Sequence, residues 1–465
     1  MKYAPVFLCL TAMALVTACA AAPGDLIWSY ATTDYISYSS PAISGGNVFI
    51  GNHAGDLYCL NAVTGAPVWT VGLGDTIQSS PTVWGDYVYV GCDDGRVYCR
   101  NAGTGAHVWW YDTGALVRSS PAVSGGRVYI GSDSHRIYCL DALTGGGQWS
   151  YETGGGVDCS PSIAGGHVYL SSHDGYDYCL EAATGHVVWS QYAGDAVAFS
   201  SPAICEDRVY RGTATGLLYC RDVATGSLLW NTYLGLEWRV SAPAVHVGKV
   251  YVGCYTGVHC LNAATGEPLW TYDTGSALFH SSPALSGGYV YLADAEGYMY
   301  CLGAGTGDVV WKGLHPGTVL SSGAIYDGRV YYGSVDGVLY CREAGAHDAG
   351  EWPMFRHDLQ HTGNLERQTA VPLEHGWNLF GYSMYTRWPI NLSAIRVCDG
   401  ADVRTWDAAA ADVWMQDPAY YFVPGEGYRE LGNPAPPAHS NEIYCGYGYW
   451  LLTYRPGLMM LIPMP

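Results

Sequence analysis

Charge is scarce in this 465-residue sequence, and positive charge scarcest: 21 Lys and Arg stand against 41 Asp and Glu, for a formal net charge of −20. A chain this acidic repels phosphate backbones and anionic headgroups, which sets aside nucleic-acid binding as a main function. Past residue 22 no run of about 18 apolar residues occurs, so no later segment is expected to cross a bilayer. The low charge does not mean disorder, because 49% of the residues are hydrophobic. Also missing are a Cys-Cys dipeptide and any His/Cys/Asp spacing of a zinc type. What abounds is glycine and aromatic residues, with 61 Gly, 39 Tyr and 17 Trp. That mixture suits many short strands joined by tight turns.

Residues 1–22 read as a targeting segment, with Lys2 at the positive start, an apolar stretch from Val6 to Val16 and a small-residue exit from Ala18 to Ala22. Within it, Val16-Thr17-Ala18-Cys19 resembles a bacterial lipobox, in which Cys19 is lipidated and becomes the mature N-terminus. Cleavage after Ala20 or Ala22 is the alternative. Both place the mature chain outside the cytoplasm, in the periplasm or at the cell surface, with membrane contact only through an N-terminal lipid.

The rest of the chain is periodic. Pro41, Pro81, Pro121, Pro161, Pro202, Pro243 and Pro283, with Gly323 in the eighth place, recur in steps of 40 or 41 residues. Cys59, Cys99, Cys139, Cys179, Cys220, Cys260, Cys301 and Cys341 keep the same beat, and Trp69, Trp109, Trp149, Trp189, Trp230, Trp270 and Trp311 follow each of the first seven by ten. Eight units of this length mean a propeller or a solenoid. Inside a unit, Gly85-Asp86, Asp94-Gly95 and Thr104-Gly105 mark three tight turns and hence four short strands, which is a propeller blade. The Asp-Gly pair predicts a turn with positive φ at both central positions, and Gly45-Gly46, Gly125-Gly126, Gly165-Gly166 and Gly287-Gly288 predict the same at the first turn. Small residues such as Ser39, Ser40 and Ala42 suit an inner strand at the crowded axis, where Pro41 is tolerated at a free edge. The Trp column suits the outer strand, packing each blade on the next. The eighth unit lacks its outer strand. Leu26 to Tyr30, with Trp28, has that pattern and is expected to close the ring; Glu351 to Phe355 is the competing choice.

Leu60-Asn61-Ala62-Val63-Thr64-Gly65-Ala66-Pro67-Val68-Trp69, with counterparts at Leu140 to Trp149 and Leu261 to Trp270, resembles the tryptophan-docking repeat of pyrroloquinoline-quinone (PQQ)-type propellers. That family includes quinoprotein dehydrogenases and the non-catalytic outer-membrane-assembly lipoprotein B. Trp352-Pro353-Met354-Phe355-Arg356-His357-Asp358, followed by His361-Thr362-Gly363, is similar to a segment that usually stands before such propellers; here it follows the eighth unit. The chain therefore reads as all-β. An eight-bladed β-propeller of four-stranded antiparallel blades occupies 25–350, the motif segment and linker occupy 351–368, and a small β-rich domain occupies 369–465. The last resembles a surface-protein module that opens in Gly376-Trp377-Asn378-Leu379 and closes in Gly448-Tyr449-Trp450.

Sixteen Cys in an exported chain invite disulfides. Equivalent positions of neighbouring blades should lie beyond the roughly 7 Å Cα limit, so the repeating column reads as buried small hydrophobes. Cys92, Cys159, Cys205 and Cys254 stay open, and Cys398 and Cys445 form a candidate pair. Arg356-His357-Asp358 with His361 places two imidazoles four apart, which reads as a polar surface segment.

What does not repeat is the position three places before each Pro: Tyr38, Gln78, Arg118, Asp158, Phe199, Val240, His280 and Leu320. These are expected to ring one mouth of the axial channel as a partner-binding surface. In the resembled enzymes a calcium-bound quinone sits on the axis with a carboxylate base and a vicinal disulfide, built into long insertions that these uniform units lack. The expectation is a monomeric, non-catalytic binding or assembly scaffold at the cell envelope, contacting protein, peptide or glycan and needing no metal or cofactor. A PQQ- and calcium-dependent alcohol dehydrogenase is the first alternative, and a structural or adhesive surface protein the second.

Overall fold

The computed structural model describes residues 21–194, 200–235, 240–276, 278 and 280–345, and then the backbone of the strands between 368 and 463. Cys19, Phe199, Cys445 and the whole of 346–367, including Glu351 to Phe355 and the two imidazoles after it, lie outside the described residues.

Each unit folds into four antiparallel strands. The first blade runs Ala42–Ser44, Asn47–Gly51, Asp56–Asn61 and Pro67–Gly72. Its first strand touches the first strand of the second blade, this continues to the sixth blade, and the first strand of the seventh touches that of the eighth, which in turn touches that of the first. The result is a closed eight-bladed propeller. Two local expectations change. The inner strand is only three residues long and begins after the Pro, so Ser39 and Ser40 stand in the approach to it. Positive φ occupies both places of the first turn, at Gly45 and Gly46, but the Asp94-Gly95 turn has it at Gly95 alone. Asp94 instead caps that loop, its carboxylate accepting from the Arg96 N–H at 3.0 Å.

The two serines before each Pro have separate tasks. The first bonds within its own blade: Ser39, Ser79 and Ser119 Oγ accept from the N–H of Gly51, Gly91 and Gly131 at 3.0–3.1 Å. Cys159 takes this role in the fourth blade, with the Ser171 N–H 3.0 Å from its sulfur. The second serine bonds between blades. The N–H of Ser40 donates to Ser80 Oγ, Ser80 to Ser120, Ser120 to Ser160 and Ser160 to Ser201, at 2.9–3.2 Å. Ser282 donates likewise to Ser322, and Ser322 to Ser40. A serine collar thus binds neighbouring inner strands, interrupted where Ala242 replaces the serine of the sixth blade.

Outer strands are fastened by the Trp column. Trp69 Nε1 donates to the Ala102 carbonyl of the next blade at 2.9 Å, and Trp109, Trp149, Trp189, Trp230 and Trp270 repeat the bond at 2.9–3.1 Å. Each indole lies on a glycine of the following blade. A Cβ on Gly65 would stand 2.7 Å from Trp28, and Gly65 also has a φ of +69°, so no other residue fits.

The closing strand is Leu26–Ala31, antiparallel to Val338–Glu343. Trp28 then donates to Ala62 of the first blade at 3.0 Å. The eighth blade lacks its own Thr-Gly, and Gly24 replaces it: its N–H donates to the Glu343 carbonyl at 2.8 Å, as that of Gly65 does to Asn61. Gly24 then offers its flat face to Trp311, which donates to Ala344 at 3.1 Å. The N-terminal segment supplies both the missing strand and the missing glycine.

All eight Cys of the column are buried and free, and burial pushes the Cys59 thiol up to about 12, far from thiolate chemistry. Cys92 and Cys254 are buried free thiols as well. Residues 366–465 form a second compact unit. In it Gly376–Gly381 pairs antiparallel with Gly448–Thr453, bringing the Gly-Trp-Asn-Leu opening onto the Gly-Tyr-Trp closing. Gln368–Leu373 pairs with Leu458–Pro463 in a separate sheet.

Candidate functional site

One end of the axis opens into a cavity continuous with solvent. Tyr38, Gln78, Arg118, Asp158, His280 and Leu320 line it together with the serine collar. These side chains come from the segments that enter the inner strands of six blades, while the collar below fixes their spacing. Tyr38 and His280 meet edge to face across the eighth blade, with ring centroids 5.0 Å apart.

Val240 is not among them, and its assignment to the mouth is corrected. It is 1% exposed and takes the place that Val117 and Val157 hold one position earlier in their blades. Its N–H donates to Thr213 as that of Val117 does to Cys92, and its side chain covers Gly212 as Val117 covers Gly91. In this segment the buried slot falls three places before the Pro instead of four. An apolar side chain then falls into the buried slot.

A second set of side chains borders the first, and its columns were not singled out in the sequence. Two places beyond Gly51, Gly91, Gly131 and Ser171 stand His53, Asp93, Asp133 and His173 in the first four blades. Their turns are pinned by backbone bonds to the neighbouring segment, such as Asp93 N–H to Thr76 at 2.9 Å and His173 N–H to Gly156 at 2.9 Å. The signal was available as a column that is titratable in four blades and not in the other four.

The two sets are wired together on one side. Gln78 Nε2 donates to Asp93 Oδ2 at 2.8 Å. The Arg118 guanidinium lies 3.5 Å from Asp93 and 3.8 Å from Asp133, and His173 Nε2 lies 3.3 Å from Asp158. Ser37 Oγ and His53 Nε2 share a short hydrogen bond. Three carboxylates therefore face one guanidinium. Burial, and then the neighbouring Asp158, pushes Asp133 up to about 6. Burial works against ionisation of Asp158 too, but hydrogen bonds from His173 and Asp133 outweigh it and hold Asp158 below the usual range. The Asp158 hydrogen bond in turn raises His173, against its burial. Asp93 is raised by burial, with Arg118 opposing. Asp93 Oδ1 and Asp158 Oδ1 are buried acceptors without a hydrogen bond among the described residues. Such an arrangement can take a cation or a strong donor, because it holds more negative charge than it neutralises.

Two family models match the chain: a beta-propeller of the beta-alanine-activating enzyme over residues 31–238 and the outer membrane protein assembly factor BamB over 255–348. Together with the closed ring of eight four-stranded blades, these decide the relationship. The chain resembles the PQQ-like β-propeller proteins and BamB. Among solved structures, BamB from Moraxella catarrhalis aligns with this PQQ-like propeller at a TM-score of 0.60 and 21% identity, over 70% of this chain and all of the other. A computationally designed protein, Ika8, aligns at 0.60 and 22%, over 67% and 98%. A quinohemoprotein alcohol dehydrogenase from Pseudomonas putida aligns at 0.58 and 16%, over 70% and 77%. At these identities the likeness is one of fold. No curated protein sequence matches the chain. Among the described residues no helix is long and apolar enough to cross a membrane.

Proposed function

We propose that this PQQ-like propeller is a non-catalytic binding or assembly scaffold acting outside the cytoplasm, and that its mouth holds a protein partner through a basic side chain. The supporting observation is the excess of carboxylate over guanidinium at Asp93, Asp133, Asp158 and Arg118, set in a rigid collar and open to solvent. A lysine or arginine presented on a loop would complete the charge there, and the likeness to BamB supports a protein as its bearer. Delivery by residues 1–22, with a lipid on Cys19, belongs to the same reading.

The second reading, a quinoprotein dehydrogenase, draws support from the fold shared with the quinohemoprotein enzymes. The mouth residues do not fit that group. No two cysteines are adjacent in sequence to clamp a quinone ring, and Asp93, Asp133 and Asp158 are engaged by Gln78, Arg118 and His173 rather than gathered as an oxygen cage for calcium.

Capture from envelope extracts separates these readings when three proteins are run side by side. They are the natural protein, Asp133→Asn with Asp158→Asn, and Asp86→Lys in an exposed first turn at the opposite end of the second blade. We expect a partner retained by the natural protein and by Asp86→Lys, and reduced about tenfold by the double variant. Equal capture by all three would remove the mouth from the function. Dye-linked alcohol oxidation on adding quinone and calcium would establish the enzyme instead.

A further inference from the structure

Away from the mouth, a second unusual set of charges is buried between the fourth and fifth blades. Arg211, Asp177 and Arg221 are 3%, 7% and 7% exposed. They occupy strand positions that are aliphatic in most blades: Arg211 stands where Ile50, Val90, Ile130 and Leu170 do, and Asp177 where Leu57, Val97 and Ile137 do. One carboxylate serves both guanidinium groups, with Asp177 Oδ1 2.9 Å from Arg211 Nε and Oδ2 3.1 Å from Arg221 Nε. Ser171 Oγ also donates to Asp177 Oδ1, at 2.7 Å. The cluster carries one net positive charge inside the protein.

The two arginines differ in how they are satisfied. Arg221 Nη1 donates to the Gly226 carbonyl at 3.0 Å and Nη2 to the Tyr192 carbonyl at 3.3 Å. Arg342, at the equivalent place in the eighth blade, donates to the Tyr332 hydroxyl, the Gly24 carbonyl and the Leu314 carbonyl. Neither Nη1 nor Nη2 of Arg211 has a hydrogen-bond partner among the described residues, and its Nε contact with Asp177 lacks hydrogen-bond alignment. A buried guanidinium left this way is strongly unfavourable. Arg211 lines a cavity with Tyr169, Ser171, Tyr178, Trp189 and Tyr219, and that cavity admits about one water-sized body. The hydroxyls of Tyr178 and Tyr219 are already committed to Asp174 and to the Ala193 carbonyl.

We propose that this cavity binds a small monovalent anion of chloride size, held by Arg211 Nη1 and Nη2, which neutralises the cluster and fastens the fourth blade to the fifth. A water would satisfy the donors but leave the charge. The site holds a single ion, because the space excludes an organic acid.

The test uses the purified full-length protein in sodium chloride or sodium gluconate at constant ionic strength. For the natural protein we expect Tm to rise by about 1 °C or more per tenfold increase in chloride. Arg211→Leu restores the aliphatic residue of the other blades and leaves Asp177 paired with Arg221. It should fold, lose the chloride response and match or exceed the natural protein in gluconate. A crystal soaked in sodium bromide should give an anomalous peak beside Arg211, and this arm does not depend on the variant. A Tm indifferent to chloride, an unchanged response in Arg211→Leu, or a water or protein carboxylate in place of bromide would each overturn the proposal.

Discussion

At the turn between the second and third strands, blades one to four carry His53, Asp93, Asp133 and His173, whereas blades five to eight carry Ala214, Tyr255, Ala295 and Val335. The main chain beneath does not follow this division. Asp93 N–H donates to Thr76 at 2.9 Å and Val335 N–H donates to Thr318 at 2.9 Å, although one turn carries a carboxylate and the other an isopropyl group. The Trp bonds are likewise equal in both halves, 2.9 Å for Trp109 and 3.1 Å for Trp270. Collar, glycine and indole carry the architecture, so side chains at the mouth are free to differ. Polarity concentrated on one half is then a property of the site and not of the fold.

The strongest way to break this comparison is to attack the shared frame in each half. Trp109→Ala and Trp270→Ala each remove an indole, its hydrogen bond and its cover over a glycine, and each should cost about 3–5 kcal/mol. Denaturant unfolding should place the two costs within about 1 kcal/mol of each other. A much larger loss on one side would mean that the halves differ in frame as well as in side chains.

The mouth of the first half should respond to pH in one sense, and the buried imidazoles of the second half, His259 and His315, which burial lowers to about 4, in the other. Asp133 is raised towards 6, so its contribution is fully present below the unfolded carboxylate range near 4 and is lost as pH climbs through 6. His173 is also raised, and its contribution is present below about 6.5 and lost above that. Asp158 is lowered and matters only in stronger acid, where its contribution disappears as pH falls below about 4. The Asp133 and His173 shifts, and that of Asp93 with them, therefore weaken the mouth as pH rises, while His53, lowered by burial, acts in the opposite sense. Asp133→Asn should match the natural protein near pH 4.5 and exceed its Tm by roughly 2 °C at pH 7.5. Thermal unfolding at those two values checks this, and a variant less stable at pH 7.5 would reverse the sign argued for the pair.

The propeller was legible because its signals are repeated. Ser, Pro, Cys and Trp columns each state the same geometry seven or eight times, and Trp28 outside its column betrayed the closing strand. What escaped was whatever occurs once. Gly24 replaces a blade glycine from the other end of the chain, a pairing that only three dimensions reveal. Val240 was misplaced because the buried slot falls three places before the Pro in this blade and four in the third and fourth, and counting back from a proline cannot register that difference. His53, Asp93, Asp133 and His173 sit in a column that is titratable in the first four blades alone, so its variation was readable in principle, but the proximity of Asp93, Asp133 and His173 to Arg118 and Asp158 was not. Arg211 and Asp177 broke an aliphatic column in plain view; their partnership across two blades needed the structure.

The smallest effect tests whether the shared frame reaches the opposite end of the blades. The first turn has φ values of +56° and +73° at Gly45 and Gly46, and the sixth blade makes the same turn with +45° at Val247 and +69° at Gly248. A β-branched residue is strained there, and Val247 is 75% exposed, so no packing compensates. Val247→Gly should stabilise by about 0.5–1 kcal/mol, the strain relieved less the backbone entropy that glycine loses. Gly45→Val should destabilise the first blade by at least as much, since nothing lies within 4 Å of its Cβ position and only φ opposes the change. Denaturation midpoints of the two variants should move in opposite directions. If Val247→Gly left the midpoint unchanged or lowered it, the turns of the two halves would not be equivalent and the frame would be common only at the collar and the Trp column.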